Sequence, residues 1–176
     1  GWAATVATVA PGTLPHEVLD GWKVVVVVKF VAQPTVTVTA RTKAEADRLE
    51  TEVEAKAAAK WDAAVRRGRA ALTITGATGP NAHNVNGTYD RVPKERRKGG
   101  APVFRKRGTG TPWWLYLASN NMWMVGGTEN KDARKDSGWA ATVATVAPGT
   151  LPHEVLDGWK VVVVVKFVAQ PTVTVT

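Results

Sequence analysis

The sequence predicts an α+β protein in which a long amphipathic helix links small antiparallel β domains, each a barrel or a sandwich. Three observations carry that prediction. Residues 40–71 contain one long run with helical periodicity. The remainder reads as short β-branched segments separated by turn residues. Residues 1–39 recur letter for letter as residues 138–176, so the copies stand 137 positions apart in a chain of 176.

Identity over such a length means recent duplication or a window on a tandem array, and self-similarity at a fixed period is read before any other feature. The expected arrangement is an array of period 137. Residues 1–39 are then the C-terminal strands of a preceding β repeat, 40–71 a linker helix, and 72–176 a complete β domain. Strands without their partners expose unpaired backbone and an apolar face. The preceding repeat, or another copy of the chain by strand donation, is expected to cover residues 1–39.

The helix is justified residue by residue. Thr42 suits an N-cap, and Glu45 completes a capping box. From there to Arg67, the residues Ala46, Leu49, Val53, Ala57, Trp61 and Ala64 or Val65 recur at three and four. Glu52–Lys56 and Asp62–Arg66 are i,i+4 pairs in the favourable order, and Gly68 is a natural stop. At 1.5 Å per residue the rod is about 40 Å long. Its stripe is narrow and rich in alanine, which suits docking on a single surface. Leu49, Val53, Ala57 and Trp61 are the expected docking residues.

The β elements follow in order. Residues 72–75 are short and β-branched, and 76–87 read as a loop. Residues 103–107 and 113–118 are strand candidates. Ser119-Asn120-Asn121 is a turn, and 122–125 return as the second arm of a hairpin. Residues 139–146 alternate as a strand should. Residues 159–168 read as one long strand, because the five valines 161–165 contain no turn residue. Residues 172–176 alternate Thr and Val, with Val173 and Val175 on the buried face, and these strands are the expected sites of domain-to-domain pairing.

Composition limits the function. The chain lacks cysteine, which excludes disulfides, thiolate metal sites and cysteine nucleophiles. Its apolar runs are far short of the ~18 residues that cross a bilayer, so no membrane partner is expected. The net charge of +8 is concentrated between Asp90 and Arg107, because residues 138–176 are neutral. Such a patch attracts anionic surfaces of any kind. Arg96, Arg97, Lys98, Arg105, Lys106 and Arg107 are its candidate contacts, with Trp113 or Trp114 beside them as an aromatic platform for a sugar or a nucleobase. Adjacent strand residues point to opposite faces, so Trp113 and Trp114 face opposite ways, and whichever is exposed is the expected contact. The plainer reading of the tryptophans is bulk for a small β core. For the basic residues it is a solubilising loop, or a charge match to an acidic neighbouring module.

Catalytic patterns are lacking. The HEVLD segments at His16 and His153 lack the second histidine of a zinc site. Ser119 and Ser137 lie outside any nucleophile elbow, and the glycines of 76–87 lack the GK[ST] ending of a phosphate loop. Glu129, Asp132 and Asp136 alternate with Lys131, Arg134 and Lys135, as a solvated surface does. Asn86-Gly87-Thr88 is a glycosylation sequon, meaningful only in a secreted protein. Neither a cofactor nor a metal is expected, and the chain reads as non-enzymatic.

The segments ITGATGPNAHNVNGTYDRVPKE, GGAPVFRKRG, WLYLAS, WMVGGTENKDARKDSGWA, TLPHEV and VTVT resemble a small Trp-rich β module. That module recurs in high-copy tandem-repeat proteins of microalgae and related protists. TARTKAEADRLETEVEAKAAAKW is similar to the helical linker joining such modules. The resemblance implies a β domain but no activity, and the valine runs depart from the polar hairpin turn it would place there. The expected function is a structural or scaffold repeat, assembling with neighbouring repeats by β pairing and helix docking into a fibre or lattice. The alternative is a multivalent module presenting a basic, Trp-rich surface to an anionic polymer or acidic protein.

Overall fold

The computed structural model describes residues 3–5, 13–18, 22–26, 29–33, 36–96, 99–164 and 166–176. The chain divides into two compact units, Gly1–Glu50 and Thr51–Thr176, and the division falls inside the helix.

In the first unit, β1 (Ala3–Thr5), β2 (Trp22–Val26) and β3 (Lys29–Gln33) form a three-stranded antiparallel sheet in sequence order. A single 3-10 turn at Pro15–Glu17 is closed by the Leu14 amide donating to the Glu17 carboxylate at 2.9 Å. Helix α1 (Lys43–Arg67) starts here and runs on into the second unit. Its capping box forms as the sequence requires: the Thr42 amide donates to Glu45 at 2.9 Å, and the Glu45 amide donates to the Thr42 hydroxyl at 3.3 Å. Lys56 pairs with Glu52 at 2.6 Å, and the Gly68 amide closes the last turn on Ala64.

The second unit adds β4 (Ala71–Thr75), α2 (Ala82–Val85), β5 (Gly87–Arg91), β6 (Phe104–Lys106), β7 (Trp113–Leu117), β8 (Trp123–Gly127), α3 (Thr128–Asp132), β9 (Ala140–Thr142), β10 (Trp159–Val163), β11 (Lys166–Gln170) and β12 (Thr174–Val175). These strands make one antiparallel sheet, ordered β11-β10-β9-β8-β7-β6-β5-β4-β12. The two ends of that order are consecutive in the chain. Laid flat, eight spacings of about 4.8 Å would separate β11 from β12 by about 38 Å. Residues 171–173 provide four Cα steps, a reach of about 15 Å. The sheet therefore curls until its ends adjoin.

Side chains join the two ends. The Gln170 amide accepts from the Thr78 backbone N–H at 2.8 Å and donates to the Thr78 carbonyl at 3.2 Å. Asn81 Nδ2 donates to the Val162 carbonyl at 2.9 Å, and the Thr172 hydroxyl donates to the Gly76 carbonyl at 2.9 Å. The architecture is α+β, with one long helix and a curled antiparallel nine-stranded sheet.

The concave face is the core. Strand alternation sends Leu72, Ile74, Tyr89, Phe104, Leu115, Leu117, Val125 and Val161 inward around Trp123 and Trp159. The Trp123 ring meets Trp61 edge-on at 6.0 Å and Phe104 at 6.4 Å. On the opposite face of β7–β9, Trp114, Tyr116, Ala118, Met124 and Ala141 form a second apolar cluster.

Four features differ from expectation. The long strand over 159–168 is instead the β10–β11 hairpin, closed by the pair Val163↔Lys166, with Val164 at φ 62°. Cross-strand pairing and the return to the sheet end outweigh the poor turn propensity of valine. The loop over 76–87 contains α2. The polar segment after β8 contains α3, which carries Lys131 against the second cluster. Strand β5 lies where no strand was expected, because GTYDR offers Tyr89 alone as a buried residue.

Candidate functional site

The helix presents two different surfaces. In its last turns Trp61 and Ala64 are buried on the β core. The Arg67 guanidinium donates to both carboxylate oxygens of Glu154 (3.0 and 2.9 Å) and to the Gly149 carbonyl (2.8 Å). Arg91 reaches from β5 to the Val65 carbonyl at 2.7 Å, occupying one of the carbonyls that a helix end leaves without an intrahelical donor. Arg96 pairs with Asp62. Gly99 approaches so closely that an added Cβ would lie 2.6 Å from the Ala58 Cβ. Towards the N-terminus the same stripe is only partly covered: Ala57 and Leu49 are half-buried, and Val53 is 66% exposed. Of the expected docking residues, Trp61 is engaged within its own unit, and Val53 is the most exposed.

Val173, just before β12, is buried in the core, and Val175 is half-buried opposite Ile74. Both serve the internal closure of the sheet.

The basic segment is largely committed to internal partners. Arg96 also donates to the Gly100 carbonyl at 2.9 Å. Arg107 forms a bidentate pair with Asp90 (2.7 and 2.6 Å), and that hydrogen bond holds the Asp90 carboxyl below the usual range. Lys106 is buried with its ammonium on the His83 carbonyl, and burial pushes its pKa down. It is a core residue, not a surface contact. Arg105 is exposed, with its guanidinium 5.8 Å from the Trp114 ring centroid. Arg97 and Lys98 lie outside the described residues.

The adjacent tryptophans do take opposite faces. Trp113 is half-buried and meets Trp139 edge-on at 5.7 Å. Trp114 is buried, donates its indole N–H to the Thr128 hydroxyl at 2.9 Å, and carries the Lys131 ammonium 4.4 Å from its ring centroid. Asn86 bonds Ala77 through both ends of its amide (3.0 and 2.9 Å), so the sequon asparagine holds the loop.

A cavity of about 230 Å³ opens beside this cluster. Glu95, Ala101, Val103, Tyr116, Lys131 and Arg134 are among its lining residues. Burial disfavours the Lys131 ammonium, but hydrogen bonds to Asp132 and Glu95 outweigh it and raise the pKa. Arg134, at φ 49°, donates to the Leu117 and Ala118 carbonyls. Tyr116 donates to the carbonyls of Lys135 and Ser137, both at 3.0 Å, and its pKa is pushed up to about 12 by burial and by the charge of Asp136. The cavity wall is thus internally neutralised. Sequence reading missed it because its parts come from four separate segments, and the nearest signal was the alternation of Glu129–Asp136.

No family model, curated protein or solved structure matches the chain. Among the described residues no group of three His, Asp or Glu side chains could hold a metal ion, and no helix is long and apolar enough to cross a membrane.

Proposed function

We propose that the chain is a non-enzymatic structural repeat, working as part of a fibre, lattice or scaffold through contacts between copies. The observation that carries this reading is the double occurrence of residues 1–39 with one pairing scheme. Ala3↔Val24 and Trp22↔Gln33 in the first copy correspond to Ala140↔Val161 and Trp159↔Gln170 in the second. Strand pairing recurring with the sequence among the described residues supports quasi-one-dimensional assembly. The helix supports the same reading: its last turns are fixed on one β unit by Trp61, Arg67 and the Arg91 clamp, while Val53 stays exposed for a neighbour, with Leu49 half-buried one turn before it. The likeness to the Trp-rich tandem module of microalgae belongs to this proposal.

Binding of an anionic polymer is less favoured, because Arg96, Lys106 and Arg107 are already held by internal partners. The test is light scattering with electron microscopy on the whole chain and on Leu49→Lys/Val53→Lys. Oligomers or filaments that the double substitution reduces, with an unchanged melting temperature, are expected. A monodisperse monomer at every concentration would overturn the reading.

A further inference from the structure

Residues 1–39 and 138–176 are chemically one segment present twice, and the second copy has a place in the fold. There β9 pairs with β8 through Met124↔Ala141 and Val125↔Ala140, and Thr174 and Val175 pair with Thr75 and Ile74 of β4. The segment thus closes the sheet against residues 72–137. The first copy keeps every internal pair of that arrangement, from Ala3↔Val24 to Val26↔Lys29, at an offset of 137. It also keeps the same 3-10 turn, closed by the same glutamate three residues after the leucine. Its three paired strands and its turn are therefore preformed for the place its twin occupies, while Thr37 and Val38, the counterparts of β12, are not yet strand.

We propose that residues 1–39 of one molecule exchange with residues 138–176 of a second copy of this chain, pairing Ala3 and Ala4 with Val125 and Met124 of the recipient and completing its sheet. The proposal rests on the scaffold reading for its purpose and names the contact by which copies join. Its energetics follow from identity. The same side chains in the same register against the same strands make the same contacts, so the two occupants differ in tethering rather than in contact free energy. Residues 138–176 follow Ser137 directly, and a short tether gives an effective concentration of order mM. Exchange is therefore driven by concentration, and by the crowding of many copies in an array. It is a domain swap between two identical elements.

The chain has no cysteine, so the exchanged pair can be trapped by disulfide chemistry. In the full chain, Val125→Cys/Ala140→Cys sets the yield for the native pair, since residues directly opposed across two strands lie within disulfide reach. Val125→Cys/Ala3→Cys reports the exchanged pair. In glutathione buffer this second variant is expected to give disulfide-linked dimers and longer chains. Their initial rate of formation per molecule should fall about tenfold on tenfold dilution, as a bimolecular step requires. Reduced monomer alone, or an internally linked monomer, with near-UV circular dichroism intact, would overturn the proposal. Wild-type oligomers without cross-links would refute exchange and leave the scaffold reading standing. Cross-links with a dilute wild-type monomer would do the reverse.

Discussion

The two copies of the 39-residue segment are an internal control on what sequence alone determines. Among the described residues three strands, their register and one glutamate-closed turn are the same in both, whereas Thr174–Val175 form β12 on β4 and their counterparts Thr37–Val38 form no strand. Burial differs. Leu14 is 52% exposed while its twin Leu151 is 2% exposed, seated against Gly68 at the end of α1. Val36 is half-buried while Val173 is buried. Among the described residues Glu17 closes its own turn, whereas Glu154 closes the same turn and also receives Arg67. Register and turns are therefore encoded within the 39 residues, and the core is supplied by the strands beside them.

The strongest way to break that comparison is to truncate both leucines. Leu151→Ala removes a side chain from a close-packed site and is expected to destabilise the Thr51–Thr176 unit by about 2–5 kcal/mol. Leu14→Ala changes an exposed position and should stay within about 0.5 kcal/mol. Urea melts followed by tryptophan fluorescence separate the two. Equal losses would mean that Leu14 is covered in solution.

A second separation comes from alkali, because both tyrosines of the chain lie in the second unit. Burial raises the Tyr89 hydroxyl and takes Tyr116 to about 12, against about 10 in an unfolded chain. Their neutral forms are favoured in the fold, so their contribution is fully present below pH 10 and is lost as pH rises towards 12. Lys131, whose charged form is favoured, acts in the same direction; Lys106, whose neutral form is favoured, opposes it. Tyrosinate absorbance should therefore appear near pH 12, together with loss of near-UV circular dichroism. A tyrosinate step centred at pH 10 with the dichroism intact would contradict this burial.

The same contrast explains what the sequence disclosed. The helix was legible, since its N-cap at Thr42, its stop at Gly68 and the Glu52–Lys56 pair are local; Asp62, expected to pair with Arg66, is held by Arg96. Strands β4, β7 and β8 were legible because apolar residues cluster in them. A barrel-like curl was one of two readings left open, and the bonds that close it, from Gln170 and Asn81 to backbone far away in the chain, were not legible. Nor was the fate of the basic residues: charge density shows in composition, but the partners Asp62, Asp90 and the His83 carbonyl are set by tertiary structure. The cavity beside Lys131 was hidden for the same reason.

The smallest effect is the most local. Val164 is 77% exposed and sits at φ 62°, where a β-branched side chain crowds the following carbonyl. That conformation costs about 1–2 kcal/mol in an L-residue. Glycine avoids the clash but adds about 0.5–1 kcal/mol of chain entropy to be lost on folding. Val164→Gly should therefore stabilise the second unit by up to about 1 kcal/mol, a rise of about 2–4 °C in Tm. The counterpart Val27 lies outside the described residues, so the pair Val164→Gly and Val27→Gly asks whether the two identical valine runs turn alike. A stabilising effect at 164 with none at 27 would place the strain in the closed sheet. A loss of stability at 164 would mean that valine sits there without strain, and the long-strand reading of 159–168 would return.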